Sequence, residues 1–176
     1  MTYDTLFSPI LINKLQLENR VVMAPTHDNM ATKDGFVTPL MIEAYIKRAR
    51  GGLGMINIGG CRVNPRPMAL VTQIHDNKYV PGLQELYNRI HSETGVKVGI
   101  QLTDNLKIGR RWHQPVDEVT REYIPEIIDN FESGAIRARE AGFDAIELHA
   151  AHGYTLAAFL SLRNKRTDEY CYCRPR

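Results

Sequence analysis

Apolar positions along the chain recur with two periods, and the order of those periods outlines the architecture. Positions 6–15 mix apolar and turn residues and predict a short hairpin or cap, after which Arg20-Val21-Val22-Met23-Ala24 reads as a buried strand stopped by Pro25. Thr38-Pro39 then supplies an N-cap and a first-turn proline for a helix carrying Met41, Ile42, Tyr45, Ile46 and Ala49 at helical spacing, closed by Gly51-Gly52. A second strand, Met55-Ile56-Asn57-Ile58, ends at Gly59-Gly60, and 61–79, with Pro65 and Pro67, reads as an extended loop. Leu83, Leu86, Tyr87 and Ile90 put one apolar face on a helix over 80–94, with Gly95 as its stop. A third strand follows over 96–102. Ile124, Ile127, Ile128, Phe131, Ala135 and Ala138 then predict a helix over 123–141 ending at Gly142, and Asp144-Ala145-Ile146-Glu147-Leu148 makes a fourth strand.

Strands that alternate with helices pair in parallel through right-handed crossovers. A doubly wound sheet and a (β/α)8 barrel both begin this way. The barrel is favoured because Pro25 to Asn29, Gly59-Gly60, Gln101 and His149 to Tyr154 all fall at carboxyl ends of successive strands, where barrel active sites are assembled. No Gly-x-Gly-x-x-Gly follows the first strand, which argues against a dinucleotide-binding sheet.

Composition narrows the class without deciding it. The 176 residues are 43% hydrophobic and 24% charged, as in an ordinary globular domain, and 22 Lys+Arg against 20 Asp+Glu leave a formal charge of +2 with both signs interspersed. Neither nucleic acid nor an anionic membrane is called for. No apolar run approaches the ~20 residues of a membrane span, and Met1 to Thr5 lack the features of a signal peptide, so the expected compartment is the cytoplasm. Cys61 stands alone, and Cys171 and Cys173 lack the spacing and second pair of a structural zinc site.

The densest chemistry is Glu147-Leu148-His149-Ala150-Ala151-His152-Gly153-Tyr154. Two imidazoles and a phenol at a strand end can hold one anionic oxygen and protonate a neighbouring carbon. A metal pair is the competing reading, but no carboxylate or thiolate completes a ligand set at this spacing, so no metal is expected. Both histidines could also be purely structural.

With these residues in place, the sequence resembles the old yellow enzyme family of FMN-dependent NAD(P)H:flavin oxidoreductases, particularly its 2-enoate and dienoyl-CoA reductase branch. The resemblance is carried by Leu6-Phe7-Ser8-Pro9, Asn19 to Pro25, Asp34-Gly35-Phe36-Val37-Thr38, Arg50 to Gly54, Ile100-Gln101-Leu102 and His149 to Tyr154. It continues through Phe159-Leu160-Ser161 and Asn164-Lys165-Arg166-Thr167-Asp168-Glu169-Tyr170. It implies a flavin across the carboxyl ends of barrel strands, lined by Ala24, Pro25, Thr26 and His27, approached by the Gly60 backbone and hydrogen-bonded by the Gln101 amide. His149 and His152 would hold the oxygen of an α,β-unsaturated carbonyl, carboxylate or thioester, and Tyr154 would deliver the proton. NAD(P)H would be the reductant.

The chain leaves the family pattern in two places. Thr103-Asp104-Asn105-Leu106-Lys107 stands where the family carries a His-Ala-Gly-Arg-like segment, followed by a basic stretch with Arg110, Arg111 and Trp112 that reads as a solvated loop rather than a phosphate or RNA contact. After Tyr170 the family continues with Gly-Gly-Ser, whereas this chain has Cys171-Tyr172-Cys173-Arg174-Pro175-Arg176. The expectation is therefore an α/β chain of the parallel (β/α) TIM-barrel type truncated to about the first four strand-helix units, with 1–170 as the amino-terminal half-barrel and 171–176 as a tail outside the pattern. Such a half-barrel leaves edges and an apolar face uncovered. Self-association or a partner chain completing the barrel is expected, and weak FMN binding with it. The alternative reading is a catalytically inactive fragment that acts only through association.

Overall fold

The computed structural model describes residues 3–66, 68–106 and 115–172. The basic stretch with Arg110, Arg111 and Trp112 lies outside them, as does Cys173. An antiparallel hairpin, β1 (Ile10–Ile12) and β2 (Leu15–Leu17), precedes a parallel sheet of four strands: β3 (Val22–Met23), β4 (Met55–Arg62), β5 (Lys97–Thr103) and β6 (Ala145–Leu148). The strands neighbour one another in chain order, joined by α1 (Pro39–Ala49), α2 (Val80–Thr94) and α3 (Ile124–Glu140). A short α4 (Thr155–Phe159) follows β6.

Sequential strand order with the crossover helices on one face is the winding of a barrel; a doubly wound sheet reverses direction and covers both faces. Alternation along the strands sorts the two faces here. Ile56, Ile58, Val98, Ile100 and Leu102 pack with Met41, Tyr45, Ile46, Leu83, Leu86, Ile90 and Ala138 in one apolar core. Residues of the opposite parity, Asn57, Gln101 and Glu147, face the other way, and all three are joined by hydrogen bonds. The polar inner side of the sheet is thus set by single positions inside apolar runs.

The helix boundaries follow the expected chemistry. Thr38 Oγ1 accepts from Met41 N at 3.2 Å with Pro39 in the first turn, and Gly95 closes α2 at φ +69°, its N–H donating to His91 O at 2.8 Å. Three sequence expectations need correction. The first strand is two residues long rather than five, because its edge is paired only at Val22 and Met23. Ile128, read as part of the apolar face of the third helix, is exposed.

The third correction has functional weight: β4 does not stop at Gly59-Gly60 but runs through to Arg62, with its register to β5 shifting between Ile58 and Cys61. At this bulge Gly59 N donates to the Tyr45 hydroxyl at 3.2 Å, and that hydroxyl donates to Asp28 Oδ2 at 2.9 Å. A Cβ on Gly59 would lie 2.0 Å from Thr26 O, so the Thr26 main chain crosses where any side chain would stand. Gly59→Ala is expected to lower unfolding free energy by about 1–3 kcal/mol, the cost of overpacking against atoms that cannot rotate away. Urea denaturation measures it, and an unchanged midpoint would mean that the strand-end loop yields easily.

Candidate active site

The carboxyl ends of the four parallel strands converge on one cluster of polar side chains. From β3 the chain continues through Ala24, Pro25, Thr26 and His27; Ala24, Thr26 and His27 are exposed and Pro25 is half-buried. Gly60, at φ +54°, would carry a Cβ only 2.3 Å from two atoms of the His27 ring, so the imidazole lies over the glycine. From β5, Gln101 donates Nε2–H to Glu147 Oε1 at 2.6 Å, and Asn57 on β4 donates to Glu147 Oε2 at 3.2 Å. One carboxylate thereby holds amides from the adjacent strand β5 and from β4 beyond it.

Two residues beyond Glu147, on the same face, His149 sits buried at the end of β6, where its N–H donates to Leu102 O at 3.0 Å. His149, His152 and Tyr154 form one ring cluster. Ring centroids are 4.7 Å apart for His149 and Tyr154, 5.1 Å for the two imidazoles, and 6.3 Å for His152 and Tyr154. The turn that folds them together carries two left-handed residues in a row, His152 at φ +56° and Gly153 at φ +72°. For a histidine this conformation costs of order 1–3 kcal/mol and persists where surrounding contacts impose it.

Hydrogen bonding defines the imidazole tautomers. Ala151 N donates to His149 Nδ1 at 3.2 Å, which makes Nδ1 an acceptor and places the ring proton on Nε2. His149 Nε2–H then donates to His152 Nδ1 across 3.3 Å, leaving the His152 proton on its own Nε2. The two imidazoles are therefore bonded ring to ring. Burial lowers the His149 pKa, and the neighbouring His152 and His27 lower it further against the opposing pull of Glu147. Burial likewise lowers those of His27 and His75.

The sign of the resulting pH dependence follows by linkage. A histidine whose folded pKa lies below its unfolded value takes up its proton first in the unfolded chain, so stability falls as pH drops below about 6.5. The midpoint of chemical denaturation is expected to be lower at pH 5.5 than at pH 7.5, and His149→Gln to reduce the difference. A midpoint insensitive to pH over that interval would show the rings to be freely hydrated.

Behind the ring cluster lies a second polar group that sequence reasoning missed. Arg62 is 4% exposed and donates Nη2–H to Asn64 Oδ1 at 2.9 Å. Its burial lowers the guanidinium pKa, opposed chiefly by the charge of Asp104. Asp104, 5% exposed, has its carboxyl pKa raised by burial, opposed first by the Thr155 hydroxyl and then by Arg62. The available signal was the departure from the resembled motif at Asp104; Arg62 fell among residues read as a loop and joins the strand only in the structure. Among the described residues no group of three or more His, Cys, Asp or Glu could hold a metal ion, and no helix is long and apolar enough to cross a membrane.

The motif around Asn164 to Tyr170 has a structural duty. Asn164 Nδ2 donates to Phe159 O at 2.9 Å and Tyr170 O at 2.8 Å. Arg166 pairs with Asp168 through two nitrogens and donates to the carbonyls of Val116 and Val119. It thereby ties the segment after α4 to a small apolar cluster of Leu106, Val116, Val119, Ile124 and Ile127.

The family described as NADH:flavin oxidoreductase / NADH oxidase matches residues 5–114 and 106–172. The chain is 40% identical over 187 residues to a metal reductase of Desulforamulus reducens, covering 94% of this chain and 27% of that protein. It is 37% identical over 188 residues to an NADPH dehydrogenase of Bacillus subtilis, covering 94% and 54% respectively. Old Yellow Enzyme from Pichia sp. AKU4542 superposes with a TM-score of 0.84 at 26% identity, over 94% of this chain and 51% of that one. A 2-naphthoyl-CoA reductase in complex with 2-naphthoyl-CoA gives 0.85 at 26% identity, over 96% and 31%. The chain thus spans between about a quarter and about half of the lengths of these relatives.

Proposed function

The chain belongs to the NADH:flavin oxidoreductase / NADH oxidase family, and from that premise we propose that it carries the substrate side of an FMN-dependent ene-reductase site, acting on activated C=C bonds of α,β-unsaturated carbonyl compounds, carboxylates or thioesters. The observation that supports this most is the joining of Gln101, through Glu147, to the face on which His149, His152 and Tyr154 gather.

The residues present fit a flavin. Exposed Ala24, Thr26 and His27 offer an open ledge, and Gln101, with one amide hydrogen held by Glu147, keeps its carbonyl and second N–H for the hydrogen-bonding edge of a pyrimidine ring. FMN, when bound and reduced by NAD(P)H, would supply hydride to the β-carbon of the alkene. Ala24, Pro25, Thr26, His27, Gly60 and Gln101 would hold the ring, and the His27 imidazole must swing off Gly60 for that backbone to be reached.

The substrate oxygen would take the place of His152 Nδ1 as acceptor of the His149 Nε2–H, while His152 turns its own N–H to the same oxygen. Two neutral donors stabilise developing negative charge without carrying a proton away, which leaves protonation of the α-carbon to the Tyr154 phenol. The decisive experiment is titration of the purified chain with FMN, followed by addition of NAD(P)H. A bound flavin band that bleaches under NAD(P)H supports the reading. Protein that stays colourless in excess FMN overturns it for this chain.

A second reading, association with another chain, has its own observation. Ile146 and Leu148 on β6 are 42% and 54% exposed, Ile128 and Ile136 on α3 are exposed too, and among the described residues β3 and β6 are the outer strands of the four-stranded sheet. A sheet face and edges of this kind call for cover. A second copy, or a chain supplying further strand-helix units, would provide it. Sedimentation at low concentration tests this: a compact, stable monomer would refute it.

A further inference from the structure

We propose that Asp104 is a positioning residue for Tyr154, acting through Thr155. This rests on the reading of Tyr154 as the proton donor. Thr155 is fully buried at the start of α4 and meets Asp104 twice: its Oγ1–H donates to Asp104 Oδ2 at 2.7 Å, and its N–H donates to Asp104 O at 3.1 Å. Asp104 directly follows β5, so this double contact fastens the residue after Tyr154 to the sheet itself. On the other side of the turn, His149 N–H is held by Leu102 O at 3.0 Å. Both ends of the segment from His149 to Thr155 are therefore anchored on the end of β5, and the Tyr154 ring is held 4.7 Å from that of His149.

Helical pairing cannot do this work alone. Tyr154 is the N-cap of α4 and makes no side-chain capping bond, and the helix is only five residues long. Short helices hold poorly without tertiary contacts. Of the two carboxyl oxygens, Oδ2 takes the Thr155 hydroxyl and Oδ1 is buried with no hydrogen-bond partner among the described residues. Asp104 and Arg62 are both almost fully buried at adjoining strand ends, with Val63 N–H donating to Thr103 O at 3.2 Å between them. Burial raises the Asp104 carboxyl pKa, and the Thr155 hydroxyl first, then the Arg62 guanidinium, work against that shift. The departure from the family pattern at this position thus supplies an anchor for the phenol.

The test uses Thr155→Val, which keeps the shape and removes the hydroxyl, and Thr155→Ser, which restores the hydroxyl. Amide hydrogen exchange over Thr155–Phe159 is expected to accelerate about tenfold in Thr155→Val, the weight of one buried hydrogen bond. Exchange in α1 and α2 should be unchanged, and Thr155→Ser should return the segment to the parent rate. In the FMN-loaded protein, Thr155→Val is expected to slow alkene reduction about tenfold at saturating substrate while leaving flavin reduction by NAD(P)H unchanged. Undisturbed exchange over α4 in Thr155→Val would overturn the proposal. Loosened exchange with an undisturbed alkene step would also overturn it, since the anchor would then not position the phenol, while Tyr154→Phe tests the donor role separately.

Discussion

Tyr154→Phe is expected to slow reduction of an activated alkene by about 10²–10⁴-fold, the contribution of a positioned general acid. Flavin reduction by NAD(P)H should proceed at the parent rate. The phenylalanine ring preserves the 4.7 Å packing on His149, so the substitution removes a hydroxyl and little else. Stopped-flow measurement of the two half-reactions separates the outcomes. Equal losses in both would mean that the phenol supports flavin binding rather than protonation. His149→Asn and His152→Asn address the complementary role, and should weaken binding of phenolate-like anions with less effect on the NAD(P)H step. Asn tolerates the left-handed backbone at position 152, so the second substitution tests the donor rather than the turn.

Arg166→Met is expected to cost about 1–3 kcal/mol of stability, because it leaves the carbonyls of Val116 and Val119 without their donor. The Arg166 side chain is 6% exposed and that of Asp168 23%, so the carboxylate keeps water and the loss of its ion pair adds little. Arg166→Lys should recover only part of it, since one ammonium cannot reproduce a planar fork that reaches Asp168 and the carbonyls of Val116 and Val119 together. Denaturation followed by far-ultraviolet circular dichroism measures both. A wild-type midpoint in Arg166→Met would show that the segment after α4 contributes nothing to the fold. The Asn164-to-Tyr170 motif is thus expected to act on stability, while His149 to Tyr154 act on chemistry.

Local periodicity was enough for the helices. Thr38-Pro39 and Gly95 mark boundaries through capping and backbone conformation, which are properties of a few adjacent residues, and α1 and α2 begin and end where those signals stand. The His149 to Tyr154 cluster was equally legible, because its members lie within one turn after one strand. Glu147, by contrast, reads in sequence only as an inward position on that strand. Its work of holding Gln101 and Asn57 depends on β5 lying beside β6 and β4 one strand further on. Asp104 is 51 residues from Thr155 and Arg62 lies 42 positions before Asp104, so no spacing rule could join them. The bulge at Gly59 was read as a strand end because two glycines normally interrupt pairing. Here the Tyr45 hydroxyl and the crossing Thr26 main chain make the interruption part of the strand.

What the sequence determined by itself was the alternation of strands and helices, the parity that divides each strand into an apolar and a polar face, and the imidazole-phenol turn. Each of these is written in residues a few positions apart. The tertiary structure alone decided which amide meets Glu147, that His27 covers Gly60, and that a buried carboxyl anchors the residue after the phenol. These are contacts between distant segments, and they exist only after burial has made an unpaired polar group too costly to leave alone.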